Sequence, residues 1–156
     1  MKTEKSVEEV LLDDRLCLAL YAASRAMTAR YRPILSRLSL TYPQYLVMVF
    51  LWELGPATLG DIGERLHLES STLSPMLKRL EALNLVTRRR NPEDERSVTV
   101  DLTERGRSLK SLAISIPAEI GEAVGLSDSE QRQLVIELRA LAGELNASLL
   151  KMTPSP

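Results

Sequence analysis

Between Thr58 and Leu102 the chain strings together a short amphipathic helix, a turn, a second helix with a polar leading face, and two alternating strands with a basic stem. Leu59, Ile62 and Leu66 share one face of a helix over about 59–66, opened by Thr58. His67-Leu68-Glu69 makes the turn. Ser70 or Ser71 is expected to cap a helix of about 72–83 that buries Leu73, Met76, Leu77 and Leu80, with Pro75 close to its first turn and Asn84 as a left-handed C-cap. Residues 85–90 and 97–102 alternate like strands, and Asn91-Pro92-Glu93-Asp94-Glu95 joins them as a wing tip. That order is a winged helix-turn-helix, an architecture that lays its second helix in a DNA major groove.

The remainder reads as helix. Leu11 to Leu38 is one long helix, with starts available at Ser6 or at Asp13 and Asp14, and Pro33 kinks it or marks its approaching end. Thr41-Tyr42-Pro43-Gln44 is a capping box for a helix of about 43–54, apolar on nearly every face and hence the buried centre. Thr103 caps a helix of about 104–120, bent or ended near Pro117. Ser127-Asp128-Ser129-Glu130 opens a last helix of about 128–150 with Leu134, Leu138, Leu141, Leu145 and Leu149 at near-heptad spacing. Residues 1–8 and 152–156 are expected to fray. The fold class is mainly α with a small β-hairpin wing. Residues 1–156 make a single domain, with dimerisation helices over about 9–38 and 104–150 and the winged helix-turn-helix over about 57–102.

Two long terminal helices this rich in leucine exceed what one small core can cover. The economical partner is a second copy, and a homodimer offers a DNA reader two half-sites about one helical turn apart. Net charge is −1, which alone speaks against nucleic acid, but the charge is sorted. Residues 65–91 carry six basic and two acidic side chains, net +4, whereas residues 111–150 carry two basic and six acidic, net −4. One cysteine permits no intrachain disulfide and suits a reducing cytoplasm, and no apolar run is long enough for a membrane span or placed as a signal peptide.

Ser70, Ser71, Thr72, Ser74, Lys78 and Arg79 lie on or near the outward face of the second helix of the unit, where hydroxyls and amines can bond base edges and phosphates. Arg88, Arg89, Arg90 and Arg96 line the hairpin; an arginine near its tip can enter a narrow minor groove, and Asp94 can hold Arg96 in a bidentate pair that aims it. The plainer alternatives are a solvated helix face and a charged strand edge that resists aggregation.

Cys17 is harder to place. A lone cysteine with apolar neighbours is commonly a small core residue. Against that, Cys17, Tyr21, Ser24, Thr28 and Tyr31 form one polar-tipped stripe on an apolar helix, and Tyr42 sits just beyond it. Phenol hydroxyls donating to a sulfur stabilise its thiolate. Cys17 and Tyr31 are 14 residues apart, roughly 21 Å along a helix. They meet only if two such helices run antiparallel in a dimer. His67 has no His or Cys companion, the carboxylates are scattered, and no phosphate loop, nucleophile elbow or metal motif is present, so neither a cofactor nor a metal is expected.

At these residues the chain resembles the MarR family of regulators, and within it the organic-hydroperoxide-sensing OhrR branch. The resemblance spans nearly the whole chain. Thr72-Leu73-Ser74-Pro75-Met76-Leu77-Lys78-Arg79 and Asp94-Glu95-Arg96-Ser97-Val98 are typical of many members; Leu16-Cys17-Leu18-Ala19-Leu20-Tyr21 and Leu40-Thr41-Tyr42-Pro43-Gln44-Tyr45-Leu46 are far more specific to the peroxide sensors. The resemblance implies a homodimeric repressor on a pseudo-palindromic double-stranded operator, not an enzyme. It makes Cys17 the redox sensor, Tyr31 and Tyr42 its hydrogen-bond donors from the other subunit, and Asp94 and Arg96 the wing residues that hold and enter the minor groove. Many members carry a second, resolving cysteine that this chain lacks, so it resembles the one-cysteine kind, in which a small thiol caps the oxidised sulfur or oxidation proceeds further. Three rivals stay open: a repressor released by a small aromatic ligand in the dimer crevice with Cys17 as filler, a thiol peroxidase, and a protein-interaction module.

Overall fold

The computed structural model describes Leu12 and residues 15–152; the side chains of residues 95 and 96 lie outside the described ones. In order they form α1 (Leu16–Ser36), α2 (Tyr42–Leu54), β1 (Ala57–Thr58), α3 (Leu59–Leu66), α4 (Ser70–Ala82), β2 (Val86–Asn91), β3 (Asp94–Leu102), α5 (Glu104–Ala113), α6 (Ile116–Val124) and α7 (Asp128–Met152). The expected helix starts at Ser6, Asp13 or Asp14 and the expected fraying of 1–8 lie outside the described residues. The chain divides after Ile114 into two compact units.

In the first unit α2 is the hub. Thr41 and Gln44 close the expected capping box, the Gln44 side chain accepting from the Thr41 N–H at 2.9 Å. Val47, Met48 and Leu51 of α2 are fully buried with Ile62 of α3, Leu73, Leu77 and Leu80 of α4, Val86 of β2 and Val100 of β3. Each such side chain contributes roughly 1.5–3 kcal/mol. Thr58 and Asp61 cap α3 reciprocally. His67 then takes φ 54° and Leu68 N–H donates to the Gly63 carbonyl, which turns the chain sharply toward α4.

The β-sheet is antiparallel in the order β1-β3-β2, with β1 the short strand that residue alternation did not reveal. Arg90 pairs with Val98 and Asn91 with Asp94, so residues 95–97 of β3 bulge out of register. The tip is therefore shorter than expected. Only Pro92 and Glu93 turn, because the Asn91 side chain accepts from Glu93 N–H at 3.0 Å and pairing resumes at Asp94.

Three further expectations are corrected. Helix α4 begins earlier: Glu69 is its N-cap and makes no side-chain cap bond, so Ser70 and Ser71 lie inside the first turn and cap nothing. Backbone bonds from Thr72 and Leu73 N–H to the Glu69 carbonyl start the helix there. Pro75 consequently falls inside the helix, where it leaves the Ser71 carbonyl without its helical donor. The expected helix of 104–120 is two, because α5 stops at Ala113 and Pro117 takes the second position of α6, where its missing N–H has no helical partner to lose.

In the second unit Ser127 and Glu130 form the expected capping box for α7. No residue of α7 is buried, and Leu134, Leu138, Leu145 and Leu149 are exposed in the single chain. Among the described residues no helix is long and apolar enough to cross a membrane.

Candidate functional site

The first region is the outer face of α4 with the adjoining hairpin. The apolar spacing of Leu73, Leu77 and Leu80 fixes which side of α4 faces the core, so Ser70, Ser71, Thr72, Lys78 and Arg79 are exposed and Ser74 is partly so. Glu69 makes no side-chain cap bond at the N-terminus of α4, and the first-turn N–H groups of such a helix end favour a phosphate. On β2, Arg89 and Arg90 are exposed. Asp94 is exposed near the tip; the expected guanidinium of Arg96 lies outside the described side chains.

Arg88 departs from the expectation of a cation free for DNA. Its Nε and Nη2 donate to one oxygen of Glu81 at 2.9 and 2.7 Å, and its backbone N–H donates to the other at 3.3 Å. Glu81 was not singled out from the sequence, although a signal exists. A carboxylate in the last turn of a helix faces the negative end of the dipole, an unfavourable placement unless a cation answers it.

The second region lies on α1 and the head of α2. Cys17 is exposed and is the second residue of α1, among first-turn N–H groups that attract negative charge; the described first turn holds no acidic residue. Tyr31 and Tyr42 come together, ring centroids 4.6 Å apart, because the turn after α1 folds α2 back along it. Tyr45 joins them at 5.8 Å from Tyr31 and is 6% exposed; the Leu40–Leu46 segment held it, but nothing in its spacing marked it as a third member. Burial, and then the neighbouring phenols of Tyr42 and Tyr45, push Tyr31 up to about 12. Burial also raises Tyr42 and, with Tyr42 and Glu53 beside it, Tyr45. These phenols therefore stay neutral at ordinary pH and keep O–H groups to donate. Tyr21 is apart from them, 60% exposed, with its hydroxyl accepting from Arg25 at 3.2 Å. Cys17 does not meet the tyrosine pair within one chain: both Cys17 and Tyr31 are in α1, near opposite ends. Among the described residues no cluster of three or more His, Cys, Asp or Glu could hold a metal ion.

Tyr31 carries a pH prediction. Its folded value lies above the unfolded 10.0, so as pH rises from 10 toward 12 the unfolded chain loses a proton that the folded chain keeps, and stability falls across that window. Tyr31→Phe is expected to lessen the drop in thermal midpoint between about pH 9 and about pH 11. An unchanged drop would place the phenol in water.

Comparison with known proteins follows the same lines. A family model described as transcriptional regulator SarA/Rot matches residues 29–112. The chain is 47% identical over 131 residues to the organic hydroperoxide resistance transcriptional regulator of Bacillus subtilis (strain 168), covering 84% of this chain and 87% of that protein. It is 45% identical over 136 residues to the HTH-type transcriptional regulator TtmR of Methylorubrum extorquens (strain PA1), covering 87% and 70%. Among solved structures, reduced AbfR bound to DNA, AbfR being a protein of Staphylococcus epidermidis, superposes with a TM-score of 0.73 at 36% identity over 86% of this chain and 94% of that one.

Proposed function

We infer that this chain, which belongs to the MarR family of winged-helix transcriptional regulators and within it to the organic-hydroperoxide regulators, is a homodimeric repressor that binds a pseudo-palindromic operator and releases it when Cys17 is oxidised. The polar outer face of α4 and the exposed Arg89 and Arg90 of β2 support the DNA half of this reading. The exposed leucines along α7 support a second copy, since a chain that left them in water would forgo much of the apolar burial open to it. In the operator complex α4 enters the major groove, with Ser70, Ser71, Thr72 and Ser74 toward bases and phosphates and Lys78 and Arg79 toward phosphates. The hairpin, with Arg90 and Arg96, reaches the adjacent minor groove.

The redox half is carried by one observation: an exposed Cys17 lies at one end of α1 and a neutral Tyr31–Tyr42 pair, rings in tilted contact, at the other. Two α1 helices running antiparallel bring each thiolate to the partner copy's phenols, which donate to it. The thiolate attacks the terminal oxygen of an organic hydroperoxide; the O–O bond breaks, the sulfur becomes a sulfenic acid and the alkoxide leaves as the alcohol after taking a proton. A small thiol then condenses with the sulfenic acid, releasing water and leaving a mixed disulfide. The added group displaces the phenols and spreads the helices, and the two α4 helices lose their half-site spacing. A differential affinity of about 4 kcal/mol between the two states gives roughly thousandfold release.

The test is binding to DNA upstream of the protein's own gene, before and after one equivalent of an organic hydroperoxide, with and without a small thiol. Release that a reductant reverses supports the switch. Release by an aromatic acid without oxidant would replace it with a ligand-gated repressor, and continuous peroxide consumption would make the protein a thiol peroxidase.

A further inference from the structure

The helix that faces the major groove and the strand that leads to the wing are separate elements, joined by only three residues, Leu83-Asn84-Leu85. That joint is unusually well tied. Asn84 takes φ 56°, Leu85 N–H donates to the Leu80 carbonyl at 3.0 Å and Asn84 N–H to the Glu81 carbonyl at 2.8 Å, a double turn closing α4. The Thr103 hydroxyl donates to the Asn84 carbonyl at 2.7 Å. Across the joint Glu81 receives all three bonds from Arg88, main chain and side chain together. Its carboxylate thus grips both the position and the side chain of a β2 residue whose strand continues into the exposed Arg89 and Arg90.

We propose that Glu81 and Arg88 are positioning residues for operator recognition: their clasp sets the angle between α4 and the wing, so that the helix in the major groove and the arginines of the hairpin engage the same DNA in one pose. This rests on the reading of α4 and the hairpin as the DNA interface. The Arg88 guanidinium is committed to Glu81 and is not assigned as a phosphate contact. Because the three bonds are charge-assisted and partly shielded, the pose is held without DNA, and binding need not order it.

The inference predicts a sign that simple electrostatics opposes. Removing an anion beside a DNA-binding face should strengthen binding; Glu81→Ala should instead weaken operator binding about tenfold, since the wing loses its aim. Arg88→Lys keeps the charge that a phosphate needs but not the fork that Glu81 needs, and should weaken binding about as much as Arg88→Ala. The double variant should bind no worse than either alone, the mark of one shared interaction. All are assayed as folded dimers, below their measured thermal midpoints, with the dependence of affinity on salt recorded. Glu81→Ala and Arg88→Ala should share one salt slope, whereas a lost direct contact to phosphate lowers the slope by about 1.

The control is Lys78→Ala, which lies on the same face outside the clasp. If it lowers the slope while Glu81→Ala strengthens binding or Arg88→Lys binds as wild type does, the clasp proposal is overturned and the DNA reading stands. If neither Lys78→Ala nor Arg79→Ala alters binding, the assignment of α4 as the DNA reader fails instead, and the clasp proposal with it.

Discussion

Replacing Cys17 by serine is expected to leave operator affinity unchanged and to abolish release by organic hydroperoxide. The hydroxyl nearly matches the thiol in size and still accepts hydrogen bonds from phenols, but at neutral pH it offers no nucleophilic anion. The side chain is exposed on the single chain and belongs to no buried cluster, so the fold does not depend on its sulfur. The magnitude is the whole response: if oxidation shifts wild-type affinity by roughly a thousandfold, the variant should shift by less than about twofold. Mobility shift or fluorescence anisotropy on one operator duplex, with and without peroxide, reads both quantities. A Cys17→Ser protein that still lets go of DNA would move the sensor to another residue, with the five methionines as the next oxidisable candidates. One that no longer binds DNA in the reduced state would make the sulfur structural.

Among the glycine-to-alanine changes, Gly106→Ala should cost the most stability. Gly106 stands in the first turn of α5, and a Cβ built there falls inside the van der Waals surface of the Leu85 carbonyl oxygen. That atom cannot step aside, because it already accepts from Thr103 N–H at 3.0 Å and belongs to the joint between α4 and β2. The Gly106 carbonyl also accepts from the Trp52 indole at 2.9 Å, so α5 cannot retreat without breaking a second bond. Overpacking of a held backbone should remove roughly 3 kcal/mol, a fall of about 10 °C in thermal midpoint for a domain of this size. Scanning calorimetry or circular dichroism melting measures it. Gly143→Ala, whose Cβ meets nothing within 4 Å, is the matched control and should be neutral or slightly stabilising as a helix former. A Gly106→Ala midpoint within about 2 °C of wild type would mean that α5 and Leu85 have slack.

Local chemistry made much of this architecture readable. The capping boxes at Thr41 and Gln44 and at Ser127 and Glu130, the left-handed Asn84 and the leucine periods of α3 and α4 are each decided within a few residues, and the structure follows them. The misreadings share a cause. Ser70 and Ser71 looked like caps because their side chains suit the role, but a backbone bond to Glu69 decides where a helix starts. The two-residue strand β1 has no period to detect and exists only because β3 offers it an edge.

The site divides the same way. The sequence alone determined which side of α4 is polar, that a basic strand follows it, and that Cys17 and Tyr31 share α1 too far apart to touch; helical and strand periodicities suffice for each. Only the tertiary structure decided that Arg88 pairs with Glu81, that Tyr45 joins Tyr31 and Tyr42, and that burial pushes the Tyr31 phenol above its ordinary value. Those facts depend on which groups from distant segments come within a few ångströms and how much water they exclude. Interactions of that kind fall off over distances that residue spacing does not encode.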